Sequence, residues 1–107
     1  MFQHMSKARH PESVDLDLPR ILHALSDPGR LEMLSTLADG VERTCGELGS
    51  DQPKSSASHH FRILRDAGLI RTRVKGTNHY NSLRTEEVEA RFPGLLDAVL
   101  SAWRTSR

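Results

Sequence analysis

Sulfur and aromatic rings are scarce in this chain. One cysteine, Cys45, stands among 107 residues, with one tryptophan, one tyrosine and three phenylalanines. A lone cysteine excludes an internal disulfide and a cysteine-only metal site, and it fits a reducing cytosol. No apolar run approaches bilayer length and no secretory signal opens the chain. The expectation is a cytoplasmic protein with no membrane partner. Net charge is also nearly absent, at +1. The length sets one domain with one small core.

The small net charge conceals an asymmetry. Residues 52–84 hold seven bases (Lys54, Arg62, Arg65, Arg71, Arg73, Lys75 and Arg84) against one acid, Asp66, a local net of +6. The remainder has eight bases and thirteen acids, a net of −5. Positive charge gathered in one third of an otherwise acidic chain is the footprint of a polyanion site.

That third opens with Gln52–Ile70, which reads as a helix placed against DNA. Pro53 suits a first helical position, where its missing N–H costs nothing. Ala57, Phe61 and Leu64 recur at helical spacing and form an apolar stripe. Ser55, Ser58, His59, Arg62 and Asp66 follow helical spacing on the other side, short, polar and largely uncharged near its start, and Lys54 and Ser56 join the candidate DNA contacts. Serine and histidine reach base edges without bulk, and Arg62 reaches a base or a phosphate. An ordinary amphipathic surface helix is the plainer reading of the stretch alone. Gly68 ends the helix in the left-handed position.

The flanks favour the DNA reading. Residues 1–13 are polar and aperiodic, and are expected as a flexible arm ahead of a domain over 14–107. Val14–Leu25, with Leu18, Ile21, Leu22 and Leu25, reads as a first helix. Asp27-Pro28 starts a second, running to about Asp39 with Leu31, Leu34, Leu37 and Ala38 inward. Thr44 and Glu47 form a capping box for a short third helix. Short helix, glycine turn, longer polar-faced helix is the helix-turn-helix pattern. After Gly68 the period becomes two. Arg71, Arg73 and Lys75 share one strand face, Gly76-Thr77-Asn78 turn, and His79–Leu83 return. This hairpin is a basic wing. From Thr85 a last helix carries Val88, Phe92, Leu95, Leu96, Val99, Leu100 and Trp103, kinked or restarted at Pro93-Gly94. The fold expected is mostly α with a small β-hairpin, in the order α-α-α-α-β-β-α. The surplus apolar surface predicts a homodimer through the first and last helices, at Leu18, Leu22, Leu95, Leu96, Val99, Leu100 and Trp103.

Three segments together carry a resemblance. They are Leu25-Ser26-Asp27-Pro28-Gly29-Arg30-Leu31, Cys45-Gly46-Glu47-Leu48, and Ser55 through Ile70 followed by the Arg71–Leu83 hairpin. From Leu16 onward the chain resembles the ArsR/SmtB family of bacterial winged-helix repressors. The resemblance implies a homodimer that binds an operator near a promoter and leaves it on a signal. It places Lys54, Ser55, Ser58 and His59 where that family contacts bases. It also marks a departure. Metal-sensing members carry a Cys-x-Cys motif ahead of the third helix, or Asp, His and Glu ligands on the last helix. This chain has Cys45 alone, and its last helix has no histidine. No metal and no cofactor is expected.

The same residues invite other chemistry. His59 and His60 point about 100° apart on a helix and do not face one ligand. His60 lies beside Ala57 and Leu64 and reads as a hydrogen-bonded boundary residue, while His59 faces the polar side. Cys45 reads as a small buried residue, with a redox switch as the alternative. No base and third group mark it as a nucleophile, and no catalytic residue is assigned. The leading function is sequence-specific DNA binding by a transcriptional repressor on an inverted-repeat operator, under an unidentified inducer. The alternative is a winged-helix module that binds protein. The charge block and the hydroxyl-rich helix favour DNA, and Thr77 and Asn78 at the wing tip are counted among its candidate contacts.

Overall fold

A computed structural model describes residues 10–106. Most of the expected arm, residues 1–9, lies outside the described residues. His10–Ser13 do not hang free: His10 Nε2 accepts the Thr72 N–H at 2.9 Å, and Ser13–Asp15 forms one 3-10 turn. Helix α1 is Leu18–Ala24, shorter than the expected Val14–Leu25. Asp17 takes an extended backbone and its carboxylate accepts the Arg20 N–H at 3.0 Å, so the helix starts there. The leucine stripe then divides. Ile21 and Leu25 are buried, whereas Leu18 and Leu22 remain 38% and 47% exposed.

Helix α2, Pro28–Leu37, starts as its sequence directs. Asp27 accepts the Arg30 N–H at 3.1 Å and proline occupies the first turn. It ends two residues before Asp39. Met33, Leu34 and Leu37 point into the core and Leu31 is half-buried, while Ala38, expected inside, is exposed. Strand β1, Arg43–Thr44, follows and was not expected. Helix α3, Cys45–Leu48, has both hydrogen bonds of its capping box, at 2.7 and 3.2 Å. Gly49 closes α3 where a Cβ would stand 2.8 Å from that of Ala57. Any larger residue would push the two helices of the motif apart.

Helix α4 is Lys54–Ala67, with Pro53 one residue before it rather than inside it. Gly68 ends it at φ +84. A Cβ there would also strike Leu16 Cδ2, and Leu16 would have to shift to admit it. Strands β2, Ile70–Lys75, and β3, Asn78–Leu83, pair antiparallel, with Lys75 opposite Asn78. Asn78 thus belongs to the strand, leaving Gly76 and Thr77 as the turn. β1 adds to the other side of β3, giving a three-stranded sheet in the order β1-β3-β2. The last helix is two helices, α5 (Thr85–Arg91) and α6 (Leu95–Ser106). Pro93 disfavours a helical residue before it, and Phe92 has left the helical region accordingly, at φ −134 and ψ 77. The restart lets Val88 of α5 and Leu96 and Leu100 of α6 enter one core with Ile21, Leu34 and Leu64.

Candidate nucleic-acid interface

Helix α4 is positioned from behind by a buried cation. Arg30 is 6% exposed. Its Nε donates to the Ala24 carbonyl at 2.7 Å and its Nη2 to that of His23 at 3.3 Å, so it satisfies the end of α1. Its Nη1 lies 3.2 Å from His60 Nδ1. Arginine only donates, so Nδ1 is the acceptor and Nε2 carries the hydrogen, 3.5 Å from Asp27 Oδ2. One arginine therefore ties α1, α2 and α4 together. His60 is the hydrogen-bonded boundary residue its spacing implied, and it takes no part in the outer face.

With its inner side fixed, α4 turns Lys54, Ser55, Ser58, His59 and Arg62 outward, all exposed, with Ser56 half-buried. No side chain caps the helix N-terminus. The N–H groups of its first turn therefore face out with the positive end of the helix dipole, an arrangement suited to a phosphate oxygen. On the wing, Arg71, Arg73, Lys75, Thr77 and Asn78 are exposed as expected. Their charges are not all free, however. Arg71 Nη2 meets Glu87 at 3.1 Å. Arg73 makes two bonds to Glu42, at 2.8 and 3.2 Å, and its guanidinium lies 4.9 Å from the centre of the Tyr80 ring. Arg84, counted in the basic block, is buried and bound to Glu87 at 2.7 and 3.0 Å. Hydrogen bonding from Arg84, then from Arg71, holds the Glu87 carboxyl down to about 2. Among the described residues, the free cations of the block are Lys54, Arg62, Arg65 and Lys75. Glu42 and Glu87 fall outside residues 52–84, so charge counted along the chain overlooked them.

Behind the wing lies a polar relay. Asn81, fully buried, accepts from the Thr72 hydroxyl at 2.7 Å and donates to the Arg43 carbonyl and to Cys45 Sγ, both at 3.3 Å. Cys45 is half-buried rather than buried. Among the described residues, no group of three or more His, Cys, Asp or Glu could hold a metal ion. No helix among them is long and apolar enough to cross a membrane.

Comparison with known proteins matches the part of the chain from the end of α1 into β2. A helix-turn-helix domain model matches residues 25–73. The uncharacterized HTH-type transcriptional regulator YceK of Bacillus subtilis is 40% identical over 91 residues, covering 82% of this chain and 91% of that protein. The transcriptional repressor SmtB homolog of Synechocystis is 35% identical over 92 residues, covering 79% of this chain and 70% of that protein. The chain belongs to the ArsR/SmtB family. A homodimeric winged helix-turn-helix domain from Mycobacterium bovis, described as a possible ArsR-family regulator, superposes with a TM-score of 0.64 at 29% identity, over 78% of each chain. In this ArsR/SmtB member the helix-turn-helix is α3–α4, and β2–β3 form the wing.

Proposed function

We propose that this chain is a DNA-binding transcriptional repressor that acts as a homodimer on an inverted-repeat operator and leaves it on binding an inducer. The observation that carries this reading is the outer face of α4. Ser55, Ser58, His59 and Arg62 stand exposed at helical spacing behind an uncapped N-terminus. Ser55, Ser58 and His59 read bases in the major groove, where donor and acceptor patterns differ between pairs. Lys54, Ser56 and Arg62 flank them toward the phosphates. Arg71, Arg73, Lys75, Thr77 and Asn78 lie along the backbone, which is the same for every sequence. A module for binding protein would have no use for so many unpaired cations beside small hydroxyls. The membership of the chain in a family of transcription regulators supports DNA as the partner, and such proteins are not enzymes.

The two kinds of contact separate in a salt titration. Lys75→Ala should weaken operator and random DNA alike and lower the salt slope by about 0.9 for each phosphate that Lys75 neutralises. Ser58→Ala should weaken operator binding by about 1–3 kcal/mol and leave random DNA nearly unchanged. The reverse pattern would assign reading to the wing and anchoring to the helix.

A further inference from the structure

A cleft of about 470 Å³ opens between α3, α4 and the start of β3. Ala57 and Phe61, core residues that reach its wall, line it together with Cys45 and Gly46. Lys54, Arg65 and His79 stand around it, and no acid lines it. Lys54 and Arg65 have no ion-pair partner among the described residues, in contrast to the paired Arg71, Arg73 and Arg84. The volume is that of a small-molecule site, where an apolar lining takes the ligand body and a few polar groups fix its orientation.

We infer that this cleft binds a small organic anion with a flat apolar body, such as an aromatic carboxylate or sulfonate, in competition with DNA. The apolar part of the lining selects the body, because the ligand's own apolar surface leaves water when it seats there. The free cations select the charge, since an anion gains a charge-assisted bond from Lys54 or Arg65 that a neutral ligand cannot make. The competition follows from shared residues: Lys54 and Ser58 line the cleft and also belong to the DNA-facing side of α4. An anion seated there takes both from the DNA and adds negative charge where phosphates approach. Its regulatory meaning rests on the repressor reading, whereas its binding does not.

The test uses the full chain and anilinonaphthalene sulfonate, an aromatic anion whose fluorescence rises in apolar surroundings. Arg65→Gln should weaken probe binding about tenfold, as expected for removing one charge-assisted bond. Gly46→Leu should weaken it at least as much by filling the cleft. A Cβ there meets only Thr44 Oγ1, at 3.9 Å, so the backbone leaves room for the first carbon of the new side chain. Uncharged phenylnaphthylamine should bind at least tenfold more weakly than the sulfonate, and saturating duplex DNA should expel the sulfonate. Binding to the exposed Leu18–Leu22 face instead would ignore both substitutions, and that result overturns the proposal. So does equal binding of the uncharged analogue, or probe that stays bound beside DNA. DNA binding without the probe is measured in parallel. Failure there removes the repressor reading, while the two substitutions still decide the cleft. Far-ultraviolet circular dichroism checks that each variant is folded, and either variant alone suffices.

Discussion

Arg30 and His10 are two polar side chains whose partners lie far along the chain. Arg30 reaches His60 thirty residues on, and no local pattern announces that bond. His10 reaches Thr72 across 62 residues, and it does so as an acceptor, so it must be neutral. Burial lowers its pKa below the usual 6.5, and Arg71, Arg84 and Arg65 push the same way against the weaker opposition of Glu87. The unfolded chain therefore takes up this proton before the folded one does. The stability that His10 contributes is complete above the ordinary histidine value. It declines as pH falls through that value toward the lower folded one. Urea unfolding at about pH 7.5 and about pH 5.5 should show the wild type losing more stability on acidification than His10→Gln, which keeps a neutral acceptor. Equal losses would assign the acid sensitivity to other groups.

At the scale of elements, the wing is a hairpin whose arginines are already engaged. Glu42, beside β1, hydrogen-bonds Arg73, and this lowers the Glu42 pKa and raises that of Arg73. DNA phosphates must replace that carboxylate before Arg73 can serve as an anchor. Glu42→Gln should raise affinity for random DNA by a small factor, about two- to fivefold, and steepen its salt dependence. An unchanged salt slope would mean that Arg73 stays out of reach of the backbone. The same acid marks where sequence reading ends. Helices α2 and α3 could be read from Asp27-Pro28 and Thr44–Glu47, because caps act within one turn. The wing could be read from a change of period, and the α5–α6 break from Pro93. β1 could not: two residues have no periodicity, and its partners Tyr80 and Asn81 lie in β3. The outward face of α4 was legible from helical spacing alone. The ion pairs that trim the basic block, and the cleft between α3, α4 and β3, depend on elements meeting in space.

For the whole molecule, the question is which apolar surface a second copy covers. Of the large hydrophobic side chains left most exposed, Val14, Leu18 and Leu22 come from one N-terminal stretch, alongside Val41 and Val74. On α6 the expected stripe separates into two sides. Leu96 and Leu100 are 3% and 4% exposed and belong to the protomer's own core. Leu95, Val99 and Trp103, at spacings of four, are half-buried. A partner can therefore cover Leu18, Leu22, Leu95, Val99 and Trp103, but Leu96 and Leu100 need none. The two sets predict different failures. Leu22→Asp places a charge on a face that is wet in the protomer, so it should yield a folded monomer that has lost most of its operator affinity. Leu96→Asp buries an unpaired charge in the core and should unfold the protomer itself, a cost of about 3–5 kcal/mol for such a charge. Light scattering with urea unfolding distinguishes them: one variant halves in mass and stays cooperative, the other loses its transition. A wild type that is monomeric at micromolar concentration, or a Leu22→Asp variant that remains dimeric, would move the interface away from α1.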